Sequence, residues 1–327
     1  MRVITVGQLD PTSPDAPVAA HYGDPLREQR GPGLVDRSHR GVLELTGPER
    51  LSFLHNLTSQ HLLSLGDRQA TQALLLSPHG HIEHHLWISS LGDTLYLDVE
   101  PGTVDELEAF LLKMRFFTQV EISRSELRVF TQLGSNSKAD VLPVPEAKFS
   151  TGSVPPRPTS IYAIEPLPSG GFSRSTELGV DFLVPEPPSE PNVGLWAYEA
   201  LRVAAGIPRI GFDTDHRTLP SEVDLTGVAV HLEKGCYRGQ ETVARVHHLG
   251  RPPRALRRLH LDGIVSDNLP VPGTPVMMGD RSVGFIGTAV RHFEEGPIAL
   301  GVLKRKISGD TPLVAGESTV AVESPND

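Results

Sequence analysis

A chain of 327 residues, 38% apolar and 21% charged, has the composition of an ordinary soluble globular protein, with length for two or three domains and a sizeable core. The formal charge of −10 argues against a surface built as a whole for nucleic acid, leaving only a local basic patch for that role. No apolar run approaches the roughly 18 residues of a membrane helix. The opening Met1-Arg2-Val3-Ile4-Thr5-Val6 is too short for a secretory signal, so neither a membrane nor an export route is expected and the location inferred is cytoplasmic. The single cysteine, Cys236, excludes an intramolecular disulfide and a cysteine-rich metal cage, and leaves a nucleophile, a lone ligand or a redox-sensitive group.

In chain order, residues 7–33 are rich in Pro, Gly and Asp without periodicity and read as a loosely ordered lead-in. Gly41 to Leu45 alternates as a short strand, and Gly47-Pro48 opens a helix carrying Leu51, Leu54 and Leu57. Thr71 to Leu76 reads as a buried strand, Ser77 to Gly80 as a turn, and Leu86–Ile88 with Thr94–Val99 as a hairpin across Gly92-Asp93. Thr103-Val104-Asp105-Glu106 has the pattern of a capping box before the apolar face of Val104, Leu107, Leu111 and Met114. Residues 134–160 read as a long Pro-rich loop or domain-edge excursion, and a second Pro-rich stretch runs from Pro185 to Pro191. A helix follows over about 193–205, with Leu195, Tyr198, Leu201 and Ala205 on one side, stopped by Gly206 and Pro208. From Pro252 the pattern turns to short strands, Leu256–Leu261, Pro275–Met278, Val283–Val290 and Ile298–Leu303, which predict a small terminal barrel or sandwich.

The densest chemistry lies at Lys234-Gly235-Cys236-Tyr237-Arg238-Gly239-Gln240-Glu241, where two glycines flank the only cysteine. Such a turn, running into a helix from Gln240, aims free amides at a thiol set near Lys234 and Arg238 and favours its thiolate. Against this stands a small buried cysteine packing a tight turn, with both cations solvated; residue type alone leaves the two even. His81, Glu83 and His85 would share one face of a strand, a metal-capable arrangement that fits the polar side of a half-buried strand better. His247-His248 and Asp213-Thr214-Asp215-His216-Arg217 carry weaker signals, and no phosphate loop, dinucleotide fingerprint or nucleophile elbow is present.

Taken in order, Gly33–Gly41, Leu45–Thr58, Leu201–Pro208, Leu219–Leu225 and above all Lys234–Glu241 resemble the YgfZ family of the glycine-cleavage T-protein (aminomethyltransferase) superfamily. The resemblance covers roughly 33–130 and 190–260, and 261–327 as a small barrel. It implies an α+β fold of three domains around a central hole: after the lead-in of 1–33, a folate-binding region over 34–251 made of two intertwined subdomains with a Pro-rich excursion at about 134–190, then a β-barrel over 252–327. It also implies a bound tetrahydrofolate or derivative, and a role in assembling or repairing iron–sulfur clusters, including those of tRNA-modifying enzymes; the partners are then folate and iron–sulfur client proteins. Aminomethyltransferases in the superfamily carry an acid in an Arg-x-Glu-x-Gly pattern and another at an early strand. Here the first falls at Ala204, in Arg202-Val203-Ala204-Ala205-Gly206, and the second at His84 or His85.

The site residues that follow are Cys236 as a functional thiol, with Arg202, Lys234, Gly235, Tyr237, Arg238, Gly239, Gln240 and Glu241 as candidates for holding the folate; no metal site is assigned. Arg202, Lys234 and Arg238 offer cationic donors, and Trp196 and Tyr237 offer aromatic walls. Whether the chain is an enzyme stays open, with two alternatives kept: a folate-dependent one-carbon transferase, and a non-catalytic interaction scaffold.

Overall fold

Strand-forming segments dominate the chain and assort into two separate antiparallel sheets. The computed structural model describes residues 7–134, 161–249, 252–262, 268–307, 309 and 311–323. A one-turn helix α1 (Pro25–Glu28) leads into strands β1 (Gly33–Asp36) and β2 (Gly41–Thr46). Helix α2 (Arg50–Leu57), strands β3 (Gln69–Leu76), β4 (Ile82–Leu91) and β5 (Thr94–Val99), and helix α3 (Val104–Met114) follow. Next come β6 (Glu121–Arg124), β7 (Arg128–Leu133), β8 (Tyr162–Pro166), β9 (Phe172–Thr176), β10 (Gly179–Val184) and helix α4 (Leu195–Ala204). After a 3-10 turn at Pro220–Glu222 and helix α5 (Gln240–Leu249), the chain ends in β11 (Arg254–Leu261), β12 (Pro275–Met278), β13 (Arg281–His292), β14 (Gly296–Lys304), β15 (Leu313–Ala315) and β16 (Ser318–Val322).

The first ten strands form one sheet in the order β1-β7-β10-β9-β8-β3-β4-β5-β2-β6. Its two halves meet where β8 pairs with β3, Ala70 opposite Tyr162. The last six strands close into a barrel, β11-β14-β13-β12-β15-β16, which leaves no open sheet edge. The fold is therefore α+β with a closed C-terminal barrel.

Each layer is held by its own apolar cluster. Helices α2 and α3 bury Leu54, Leu107 and Leu111 against Leu43, Leu86, Ile88 and Leu97 of the sheet. Leu259, Ile286, Leu303 and Val320 fill the barrel. Burial of each such side chain contributes about 1.5–3 kcal/mol. Helix α4 joins the two layers: Val193 and Ala197 pack with Val35 of the sheet, while Ala200 and Val203 pack on Val290, Ile298 and Leu300 of the barrel. Gly206, at φ +68°, ends it in the left-handed conformation that the sequence led us to expect.

Three local expectations are corrected. Residues 7–32 are packed rather than loose: Asp15, Val18 and Ala20 are buried, and the Ala19 and Ala20 carbonyls accept from the amides of Leu195 and Trp196 at 2.9 and 3.0 Å, satisfying free donors at the start of α4. That order comes from long-range backbone bonds, which leave no periodic trace. The Thr103 hydroxyl donates to the Glu100 carbonyl at 2.8 Å and makes no bond to the α3 amides, so the capping box does not form. Its acids Asp105 and Glu106 remain in the first turn, where the helix dipole favours them. Of the Pro-rich region at about 134–190, residues 135–160 lie outside the described residues, but Tyr162 to Val184 supplies three strands at the middle of the sheet.

Candidate functional site

A cavity opens where the sheet, α4 and the loop after α4 meet; Arg37, Arg40, Gln72, His85, Trp87, Glu100, Tyr198, Glu199, Arg202 and Arg209 are among its lining residues. Trp87 reaches it from β4, and Tyr198, Glu199 and Arg202 reach it from successive turns of α4. Trp87 is braced by the Tyr162 ring, 4.8 Å away between centroids, and by the Arg174 guanidinium 4.2 Å over its face. The Arg37 guanidinium lies 4.1 Å from the Tyr198 ring centre. The cavity therefore has two aromatic walls, each backed by a cation.

Behind those walls runs a buried ion-pair network. Arg174, fully buried, donates to Asp98 at 2.8 Å and to Asp181 at 2.9 Å, tying β9 to β5 and β10. Arg40 bridges Asp98 and Glu100 at 3.1 and 2.6 Å. Arg209 donates to Glu100 at 2.7 Å and to both carboxylate oxygens of Asp15 at 2.8 and 2.6 Å. Burial opposes ionisation of Asp98 and Glu100, but Arg174 and Arg40 around the first, and Arg40 and Arg209 around the second, outweigh it and hold both carboxyls below their usual range. Asp15 is held at about 2 by Arg209 and His39 against the same burial.

Arg202 is bound on all sides. It donates to Glu199 through Nε and Nη2 at 3.1 and 2.6 Å, to Asp213 at 2.8 Å, to the Ile207 carbonyl at 2.5 Å and to Thr288 of the barrel at 2.7 Å. It locks the loop after α4 onto β13 and has no donor turned to a ligand. Asp213, expected in a solvated loop, is instead fully buried and also accepts from the amides of Arg209 and Thr288 at 2.8 and 2.6 Å.

His85 faces the cavity from β4, its Nε2 2.8 Å from Gln72 Oε1, while His84 is buried elsewhere in the strand. Glu83 pairs with Arg238 at 2.9 Å, so the expected His81, Glu83 and His85 make separate contacts. Burial pushes His85 down to about 4, so the ring is neutral at pH 7. In the unfolded chain it would protonate near 6.5. Between about pH 6.5 and 4 unfolding therefore takes up a proton, and stability falls as pH is lowered by about 1.4 kcal/mol per pH unit from this group. Urea unfolding of the wild-type chain and of His85→Gln across pH 7 to 4 should show that share of the slope vanish in the variant; identical slopes would contradict a buried neutral ring.

The signature turn lies apart from this cavity. Lys234 is buried, and its ammonium donates to the carbonyls of His55 and, at 2.6 Å, Thr58, which closes the C-terminal end of α2. Burial pushes that amine down to about 8. Tyr237 packs with Leu74, Leu76, Val230 and Val243. Arg238 pairs with Glu83, and Gln240 Nε2 reaches the Lys234 carbonyl at 3.3 Å. Gly239 has φ +83°, and a Cβ there would fall 2.5 Å from the Ser77 carbonyl oxygen and 2.7 Å from the Gly80 Cα, so the turn presses on the Ser77–Gly80 turn as only glycine allows. Glu241 is exposed in the first turn of α5. Cys236 is exposed at the apex of this pinned turn, beside an equally open Gly235. The buried, inert alternative for the thiol is thereby removed. The two cations expected around it bind elsewhere.

No family model matches the chain. Its fold is that of a glycine cleavage system aminomethyltransferase T from Bartonella henselae, with a TM-score of 0.74 over 94% of this chain and 91% of the other at 21% identity. In sequence it is 26% identical to the tRNA-modifying protein YgfZ of Vibrio vulnificus over 85% of this chain and 86% of that one. It is also 26% identical to a mitochondrial iron-sulfur cluster assembly factor IBA57 homolog of Mycosarcoma maydis, over 66% of this chain and 54% of that one. The chain is thus similar over most of its length to YgfZ-like proteins and aminomethyltransferases of the T-protein superfamily. Within that frame the two departures from the aminomethyltransferase pattern acquire places. Ala204 packs at the contact of α4 with the barrel, its carbonyl accepting from Arg258 at 2.9 Å, and His85 rather than His84 is the strand residue on the cavity.

Of the residues singled out from sequence for a ligand, only Arg202 lines the cavity; Lys234, Gly235, Tyr237, Arg238, Gly239, Gln240 and Glu241 belong to the separate turn that carries Cys236. Trp196 stacks on His21 at 5.3 Å and Tyr237 is in a core, so the aromatic walls are Trp87 and Tyr198 instead. A period-2 count along β4 puts Trp87 on the face of His85, a signal present in the sequence. Gln72 and the partners of Arg40 and Arg209 gave no such signal. No helix among the described residues is long and apolar enough to cross a membrane.

Proposed function

We propose that the chain binds a reduced folate in the cavity between Trp87 and Tyr198 and supports the assembly or repair of iron–sulfur clusters, including those of tRNA-modifying enzymes, with Cys236 as the functional thiol. The observation that carries this reading is the separation of two features: an aromatic-walled cavity whose strand acid is a neutral histidine, and an exposed cysteine on a turn fixed by Lys234 and Gly239. The residues present suit a folate. Two braced rings, Trp87 and Tyr198, offer faces on which a flat heterocycle could stack. The region that holds the ligand is read as 34–251 with the barrel of 252–327 as its support. The names of the YgfZ and IBA57 relatives support the cluster role, and a cytoplasmic setting accords with it.

The transferase alternative fits less well, because neither Ala204 nor His85 can supply a carboxylate to stabilise a developing cation. Deleting the chain from its host should lower the activity of cluster-dependent enzymes severalfold while their protein levels hold, and the wild-type chain should restore it. Undiminished activity in the deletion would sink the proposal.

A further inference from the structure

A hydrogen-bond chain running from solvent to the cavity wall determines which proton His85 carries. The Tyr162 hydroxyl donates to Glu177 Oε1 at 2.6 Å. A phenol has one proton, so toward Gln72 the Tyr162 oxygen can only accept, and it does so from Nε2 at 2.9 Å. That fixes the Gln72 amide, whose Oε1 then faces His85 Nε2 at 2.8 Å and accepts from it. His85 is thereby the Nε2–H tautomer, with Nδ1 bare. Nδ1 has no hydrogen-bond partner among the described residues and is not one of the buried atoms closed off from solvent. It opens into the cavity that His85 lines.

The rest of the wall sharpens this. Three of the four guanidiniums that line the cavity are matched inside the protein, Arg40 by Asp98 and Glu100, Arg202 by Glu199 and Asp213, and Arg209 by Asp15 and Glu100; the fourth, Arg37, reaches Asp181 at 3.5 Å and lies over the Tyr198 ring. A bare imine nitrogen between aromatic walls calls for a donor from the ligand, and a ring N–H buried there without an acceptor would be strongly penalised. We propose that His85 is the specificity residue of this cavity, its Nδ1 accepting a hydrogen bond from a ring or anilino N–H of a reduced folate. The assignment rests on reading the cavity as a folate site, and it deepens that reading. A carboxylate here would also accept, but it would bring a negative charge able to stabilise a cationic transfer state. A neutral imidazole accepts without that charge, so the ligand is kept while a group that aminomethyl transfer would use is gone.

Two measurements on the full chain test this. Nitrogen-15 NMR of histidine-labelled wild-type protein should show His85 with its proton on Nε2 and an imine-type Nδ1, and tetrahydrofolate should shift the Nδ1 resonance toward that of a hydrogen-bonded nitrogen. Calorimetric titration with tetrahydrofolate should find His85→Leu weaker by about tenfold or more. His85→Asn, which keeps an acceptor near the Nδ1 position, should stay within about threefold of wild type. A proton on Nδ1, an Nδ1 resonance indifferent to the ligand, or equal affinity in His85→Leu overturns the assignment while leaving folate binding intact. Absence of binding to the wild-type chain overturns the folate reading itself, and this assignment with it.

Discussion

Arg202→Ala is expected to lower the unfolding free energy by about 3–5 kcal/mol, the usual result of removing one partner from a buried ion pair. The residue is 2% exposed and holds Glu199, Asp213, Thr288 and the Ile207 carbonyl at once. Without it Glu199 keeps only its longer contact with Arg209 at 3.6 Å, Asp213 keeps only its backbone amides, and the Ile207 carbonyl and the Thr288 hydroxyl lose their common donor. Lysine should not rescue the loss, since a single ammonium cannot span the four partners that the guanidinium fork reaches. Urea unfolding decides the matter. A change below about 1 kcal/mol accompanied by lost ligand affinity would restore Arg202 to the donor role that its sequence context suggested.

Cys236→Ser is expected to have the largest effect on function and nearly none on stability. The thiol is exposed on its turn, so exchanging sulfur for oxygen should move the melting temperature by no more than about 2 °C. In host cells the same variant should be as deficient in cluster-dependent enzyme activity as the deletion, because serine keeps the size of the side chain and loses the thiol's acidity and nucleophilicity. The turn around it is built to stay put: Lys234 closes the end of α2 beneath it and Gly239 seats it against the Ser77–Gly80 turn. Full support by the variant would remove the thiol from the mechanism and leave the family assignment untouched.

The parts of this architecture that could be read from sequence are those encoded locally. The helix ending at Gly206 was legible because its apolar face repeats at helical spacing and its stop needs a left-handed residue. Four barrel strands were legible because turn residues punctuate them; β15 and β16, of three and five residues, are too short to stand out. Lys234–Glu241 stood out through the rarity of its one cysteine. What stayed hidden is encoded between distant residues. Arg209 and Asp15 are 194 positions apart, and their ion pair acts with the backbone bonds to Leu195 and Trp196 in holding the lead-in that looked loose. Arg174 sits in an unremarkable alternating segment and becomes a fully buried hub only once β9 lies beside β10 and its side chain reaches Asp98. Lys234 looked like a cation beside a thiol, and nothing in its neighbours announced that its ammonium would turn inward to the end of a helix 176 residues earlier in the chain. Likewise the ligand donors sought in the signature turn were misplaced because the sequence shows proximity along the chain, whereas the cavity gathers residues from β3, β4 and α4.

The central claim, a reduced folate held between Trp87 and Tyr198, is tested most directly by calorimetric titration of the purified full chain with tetrahydrofolate. A single saturable site at one ligand per chain, abolished when Trp87 and Tyr198 are both replaced by alanine in a variant that still unfolds cooperatively, is the predicted result. No heat of binding with the wild-type chain, or binding that survives loss of both rings, would contradict it.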